Sequence, residues 1–248
     1  VLVTILALAA GACSRSDGDV ETGSDTTQAT GSTGGTSGGS RLDAAGFGDL
    51  ENVCQDGDAS GATDTGVTDD TIQVGTITDK GFTARPGLNE EMYDTAVAFA
   101  AWCNEHGGIN GRELVVADRD AALAEYNARI VDACSQDFAL VGGGAVLDDS
   151  DQGERVRCGL PNIAGYVVSE TARSADLQVQ PVPNPVGRMS FGPYQVIAER
   201  FPDLIDRYGT ITSSFGSVVN QRDDTVTAAT ALGFTPVYQE ESISQGEP

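Results

Sequence analysis

From Thr71 onward the sequence alternates short β-branched runs with amphipathic stretches one helix long, and few chain organisations tolerate that pattern. Residues 71–77 (TIQVGTI) read as a strand. Met92, Ala96, Phe99, Ala100 and Cys103 then fall at i, i+4, i+7, i+8 and i+11, one face of a helix. Gly107-Gly108 stops that helix, because a helix end commonly needs a left-handed residue. Residues 113–118 (ELVVAD) predict a second strand, and Leu123, Tyr126, Ile130 and Ala133 a second helix. A third strand over 138–142, a short polar helix over 149–158 and a fourth strand over 161–168 follow. Such alternation predicts an α/β fold, a parallel sheet with helices on both faces.

Pro181, Pro183 and Pro185 surround Asn184 and interrupt the alternation. It resumes with a helix over 192–200, a strand over 208–213, a helix over 217–232 and a strand over 235–243. A proline-rich crossing between two α/β units reads as a connection between lobes, the first over 66–183 and the second over 184–248. Only about 65 residues follow the crossing, thin for an independent lobe. With no initiator Met, the expectation is a partial second lobe in a sequence truncated at both ends.

The first 70 residues are a different kind of chain. They carry 12 acidic and two basic residues, within a net charge of −23 overall. That charge excludes nucleic acid and anionic lipid headgroups, which demand a basic footprint. Residues 22–40 hold 16 Gly, Ser or Thr out of 19, too little apolar surface to offset ordering entropy. Residues 14–65 are therefore expected to be a disordered acidic tether, with order beginning near Thr71. Ahead of it, residues 1–13 form an apolar run too short to span a hydrocarbon core of roughly 30 Å, but suited to a signal-peptide core. Ala10-Gly11-Ala12-Cys13 resembles a bacterial lipobox, which implies lipid on Cys13, although Ala10 stands where Leu is usual and a basic leader is missing. The implied location is the extracytoplasmic face of the cell membrane, held there by that lipid.

With Cys13 set aside, Cys54, Cys103, Cys134 and Cys158 form an even set suited to an oxidising compartment, and three pairings are open. No CxxC pair and a single histidine argue against zinc, and no cofactor is expected. Gly142-Gly143-Gly144 is followed by no GK[ST] but by Asp148, Asp149 and Asp151, which would repel phosphate. The glycines read as a turn that admits close backbone approach, and the acids as caps and dipole partners. His106 sits alone in the Gly-Gly turn, with no nucleophile elbow and no second base. No catalytic constellation emerges, so an enzyme is not expected.

Three segments carry a likeness: 66–79 (GVTDDTIQVGTITD), 103–120 (CNEHGGINGRELVVADRD) and 133–143 (ACSQDFALVGG). They resemble type 1 periplasmic binding proteins, in the branched-chain amino-acid-binding branch of ABC-transporter solute receptors. In that family an N-x-x-GGI-x-G segment joins the first helix to the second strand, and residues 104–111 (NEHGGING) follow it closely. The resemblance covers about residues 66–248. It implies two Rossmann-like lobes of parallel sheet flanked by helices, the second incomplete. It also implies capture of a small polar solute, amino-acid-like or amide-like, for an ABC permease in the membrane. A sensor of the same fold acting on a signalling partner is the alternative.

A sheet order 2-1-3-4 follows from the resemblance, which pairs Cys134 with Cys158 and leaves Cys54 with Cys103. Ligands in such sheets sit at the carboxyl ends of the strands. The implied contacts are Thr78, Asp79, Gly144, Ala145, Tyr166 and Phe215, with Tyr166 and Phe215 as aromatic walls. Where amino-acid binders place hydroxyls, this sequence has Val146 and Val167-Val168, so an amino-acid carboxylate would rely on backbone amides.

Overall fold

The computed structural model describes residues 50–214 and 216–243. β1 (Thr71–Thr78) pairs along its whole length with β2 (Glu113–Asp120), from Thr71 opposite Glu113 to Thr78 opposite Asp120. Its other edge pairs with β3 (Ala139–Val141), followed outward by β4 (Asn162–Ile163) and β5 (Gln178–Val179). The result is a parallel five-stranded sheet of order β2-β1-β3-β4-β5. The implied order 2-1-3-4 is thus present, with one further two-residue edge strand just ahead of the prolines.

Between the strands run α1 (Glu90–Glu105), α2 (Tyr126–Gln136), α3 (Gln152–Arg157) and α4 (Glu170–Arg173). Glu90 and Glu91 place negative charge in the first turn of α1, where the helix dipole favours it. The helix ends where the sequence says, with Gly107 and Gly108 at φ 95° and 69°. The Gly108 N–H returns to the Cys103 carbonyl at 2.9 Å. Asn104 explains the first letter of its motif. Its side chain accepts from the Leu114 N–H at 2.8 Å and donates to the Leu114 carbonyl at 3.0 Å, fastening the helix end to β2.

The periodic residues of α2 cover one sheet face. Tyr126, Ile130 and Ala133 pack with Ile77, Leu140 and Leu160 in the main core. Full burial of one such aliphatic side chain as Ile130 stabilises by roughly 1.5–3 kcal/mol. At the edge of this core Arg119 of β2 forms a two-pronged ion pair with Asp137, at 2.9 Å from Nε and 2.7 Å from Nη2. Gln73 adds a third donor to Asp137 at 2.8 Å, so the buried carboxylate is hydrogen-bonded as well as paired.

The disulfides are Cys54–Cys103 and Cys134–Cys158, with Cα separations of 5.1 and 5.8 Å, the pairing the family resemblance implies. The first of them has a consequence at the amino-terminal boundary. Residues 54–61 fall inside the stretch expected to be a tether, yet Cys54 is fully buried. The Gln55 N–H donates to the Gly108 carbonyl at 2.8 Å, and its own carbonyl accepts from Gly111 at 3.1 Å. Polar composition suggested a tether; a covalent link and the Gly-Gly turn hold these residues in place instead.

The fourth strand is shorter than the expected 161–168. It ends at Ile163: the Gly165 N–H goes to the Gly143 carbonyl at 2.8 Å, Val168 and Ser169 give theirs to the Asp148 side chain at 2.7 and 2.8 Å, and the chain turns into α4. After the prolines come α5 (Gly192–Arg200), a 3-10 turn at Pro202–Arg207, β6 (Tyr208–Ser213), α6 (Gly216–Ala231) and β7 (Pro236–Ile243). β6 and β7 pair in parallel as a two-stranded sheet. Phe234 packs edge-on against Tyr194 and Tyr208, with ring centroids 6.3 and 5.8 Å apart. Apart from the 3-10 turn, which the sequence reading did not include, these elements lie within a residue of the sequence expectation.

Candidate functional site

Four loops meet beyond the carboxyl ends of β1, β2, β3 and β4, and two inward-facing carboxylates hold them. Asp79, directly after β1, is fully buried. One oxygen accepts the Leu123 N–H at 2.9 Å and the other the Val146 N–H at 2.8 Å. The residue expected to meet ligand therefore ties the β2–α2 and β3–α3 loops to the end of β1. Asp120 supports the same turn, accepting from Gly81 at 3.1 Å and Ala122 at 2.9 Å. Ala122 and Leu123 sit at φ 43° and 73°, a left-handed pair costing of order 1–3 kcal/mol per residue, and the two aspartates bind their N–H groups.

Asp148 is the second clamp. It joins the β3–α3 loop to the β4–α4 loop through Val168 and Ser169. Ser169 caps α4 by accepting the Ala172 N–H at 3.0 Å. The sequence pointed to Asp148 only as one of several acids near a helix start. What distinguishes it is the pair of backbone amides that a chain turn brings from about twenty residues away, and no local pattern encodes that.

Gly144 and Tyr166 form the one aromatic wall among the expected contacts that the structure describes. A Cβ on Gly144 would lie 2.5 Å from a Tyr166 ring carbon, so the ring rests directly on the glycine. Asn89, at φ 62° just before α1, donates to the Tyr166 hydroxyl at 2.6 Å and fixes the ring from the far side. Asn89 carried no sequence signal beyond the tolerance of Asn for this conformation. Ala145 is fully buried, and Thr78 is buried with its hydroxyl unpartnered among the described residues. Thr78, Asp79, Gly144, Ala145 and Tyr166 are thus gathered at the ends of β1, β3 and β4. Phe215 and Cys13 lie outside the described residues.

The surface they build is a floor. The cavity behind Tyr166, bounded by Ile77, Tyr126, Leu140, Gly144 and Asp148, measures about 10 Å³, room for one water. A larger cavity of about 420 Å³ lies elsewhere, between α1 and the sheet, lined by Val74, Met92, Phe99, Leu114 and Val116. Lys80, the sequence's only lysine, is engaged at the rim by Asp118 at 2.6 Å and stands 4.2 Å over the Tyr93 ring.

Burial raises the carboxyl groups of both Asp79 and Asp148 above the ordinary value, against the opposing pull of their backbone N–H donors. Burial likewise pushes Tyr126 up to about 12, helped by the charge of Asp148. A carboxyl whose folded-state pKa is raised takes up its proton in the folded chain first. Its contribution to stability is absent well above that pKa, grows as pH falls through it and is complete near the unfolded value of about 3.9. Asp148→Asn removes this acid-side gain and costs roughly 1–3 kcal/mol for the amide N–H it no longer accepts. Urea unfolding at pH 7 and pH 4.5 should show wild type exceeding Asp148→Asn by more at pH 4.5. An equal gap at both pH values would contradict the raised carboxyl.

No protein-family model and no curated protein sequence matches the chain. Solved structures do. A fatty acid ABC transporter substrate-binding protein from Thermomonospora curvata superposes with a TM-score of 0.55 at 17% identity, covering 77% of this chain and 49% of its own. The chain has the type 1 periplasmic-binding-protein fold. A putative branched-chain amino acid ABC transporter structure from Silicibacter pomeroyi gives 0.51 at 16% identity, over 71% and 48% of the two chains. A substrate-binding periplasmic protein from Ralstonia solanacearum gives 0.50 at 11% identity, over 72% and 50%. The chain spans about half the length of these structures. Within this periplasmic-binding-protein fold, Gly144 and Tyr166 stand where the sheet order reverses between β1 and β3, the crevice position for ligands in open α/β sheets. Among the described residues no helix is long and apolar enough to cross a membrane. Nor is any group of three His, Cys, Asp or Glu placed to hold a metal.

Proposed function

We propose that this chain is an extracytoplasmic solute-binding protein that captures a small polar ligand for an ABC importer. The observation that carries the reading is the Gly144–Tyr166 floor at the switch point of a sheet whose fold is shared with substrate-binding proteins. Residues 66–183 serve as the first ligand-binding lobe and 184–248 as part of the second, with the prolines around Asn184 as the crossing. A floor with room for one water becomes a pocket only when a second surface closes over it. Ligand bridging the two surfaces stabilises the closed state by its differential affinity. Tyr166, seated against Gly144, supplies an apolar face, while Phe215 contributes from the second lobe. Lipid on Cys13 keeps the protein at the membrane beside its permease.

A thermal-shift screen of the full chain against amino acids, amides, ureas, short carboxylates and fatty acids tests this. A true ligand at a hundred times its Kd adds about 2.7 kcal/mol, a rise of roughly 5–10 °C for a chain of this size. Absence of a shift with every compound would end the solute-binding reading.

A further inference from the structure

An arginine beside the five-stranded sheet reaches a helix of the two-stranded one. Arg173, the last residue of α4, has a side chain only 3% exposed. Its Nη2 donates to Asp224 of α6 at 3.1 Å and its Nη1 to the Asn184 side chain at 3.4 Å. Asn184 stands between Pro183 and Pro185, whose φ angles the rings fix. Its amide donates to the Val167 carbonyl at 3.0 Å, one residue after Tyr166. Its backbone N–H donates to Gln180 at 3.1 Å, and Gln180 in turn donates to the Arg173 carbonyl at 3.1 Å.

Arg173 is also fixed from the site side. Asp148 holds Ser169, and Ser169 caps the four-residue helix that ends in Arg173. A continuous run of hydrogen bonds therefore leads from the strand-end loops through α4 to a helix of the second sheet. The opposite flank is open: a cavity of about 350 Å³ lies beside Arg173, Gln180 and Asn184, and the buried Arg173 Nε has no partner among the described residues. The guanidinium is held at two of its nitrogens beside that cavity.

The geometry points to Arg173 and Asp224 as a latch that sets the angle between the two sheets, with Asn184 as its fixed point. Its purpose rests on the lobe closure proposed above: a latch that fixes one angle between the lobes sets what the ligand's differential affinity must work with or against. Arg173 and Asp224 act as positioning residues.

Spin labels carried on non-natural residues at Val131 of α2 and Thr227 of α6, both exposed, read that angle as a distance distribution in the full chain without ligand. The native disulfides and Cys13 stay untouched by this labelling. Asp224→Asn, nearly equal in size and on a partly exposed side chain, is expected to broaden the distribution at least twofold. Asn184→Ala, which releases Val167 and Gln180, should broaden it as well. Asp223→Asn, whose partner Arg222 lies on the same helix, should match wild type. Wild-type distributions in both Asp224→Asn and Asn184→Ala, at unchanged far-UV circular dichroism, would overturn the latch. Because no ligand is present, failure of the solute screen leaves this result standing, and the reverse holds too.

Discussion

Arg155→Ala is expected to lower the free energy of unfolding by about 4 kcal/mol, and the melting temperature by roughly 8–16 °C. The guanidinium is fully buried and makes no ion pair with a described carboxylate. It donates instead to neutral oxygens: Gln152 Oε1 at 2.9 Å, the Leu160 carbonyl at 2.9 Å, the Asp176 carbonyl at 2.9 Å and the Leu177 carbonyl at 3.2 Å. These carbonyls belong to the loops before β4 and β5, so one side chain holds the entry to two strands. Truncation leaves three backbone acceptors without this donor, at about 1–3 kcal/mol each where water does not replace it, and opens a cavity besides. Gln152 loses its partner as well, and with it the order of its contacts to Tyr126 and the Asp148 carbonyl. Arg155→Lys should recover only part of the loss, because an ammonium cannot reproduce the planar fork. Urea unfolding of the three proteins decides the matter. A loss below about 1 kcal/mol in the alanine variant would mean that the carbonyls find other donors.

Removing the Cys54–Cys103 bridge by paired alanine substitution is the second large effect, expected at about 4 kcal/mol on the chain-entropy account of its 49-residue separation. The Cys134–Cys158 bridge closes a loop half as long, with a separation of 24, and should cost about 3.5 kcal/mol. The two losses differ more in kind than in size. Without Cys54–Cys103, residues 54–61 keep a few backbone bonds to the turn around Gly107-Gly108, the donation from Arg112 to the Gly61 carbonyl at 3.0 Å and that from the Gly61 N–H to Asp69 at 2.5 Å. Amide exchange at Gln55 should accelerate to near the unprotected rate while β1 and β2 keep their protection. Without Cys134–Cys158, exchange should rise along the ends of α2 and α3 instead. Finding Gln55 still protected in the first variant would show that the Gly-Gly turn alone holds the segment.

Most of the fold was legible because its signals are local and periodic. The face of α2, the Gly-Gly stop of α1 and the strand β6 each depend on residues within one element. The strand ends were harder for the opposite reason. Residues 161–168 look like a strand throughout, yet the ladder ends at Ile163, and Gly165 and Val168 turn to the Gly143 carbonyl and the distant Asp148 carboxylate instead. Asp79 stands in a loop at the right end of the right strand, and sequence position alone says nothing of which way a side chain turns. Its burial follows from two amides, Leu123 and Val146, that approach only after the sheet has formed. Arg155 is the sharpest case. In sequence it is one of several charges on a short polar helix, whereas in the fold it is fully buried.

The bridge between Cys54 and Cys103 also determines where a mechanical load would travel. A pull applied on the amino-terminal side of Cys54 passes through the sulfur atoms straight into the end of α1. Residues 55–102 form a closed side branch that carries none of that tension, and β1, paired with β2 on one edge and β3 on the other, lies inside it. Tension reaches the sheet only after Cys103, through the Asn104 grip on β2. Under reducing conditions the same pull runs along β1 and peels it from both neighbours. Oxidation therefore converts the first strand of the sheet from the first element under strain into one that force bypasses.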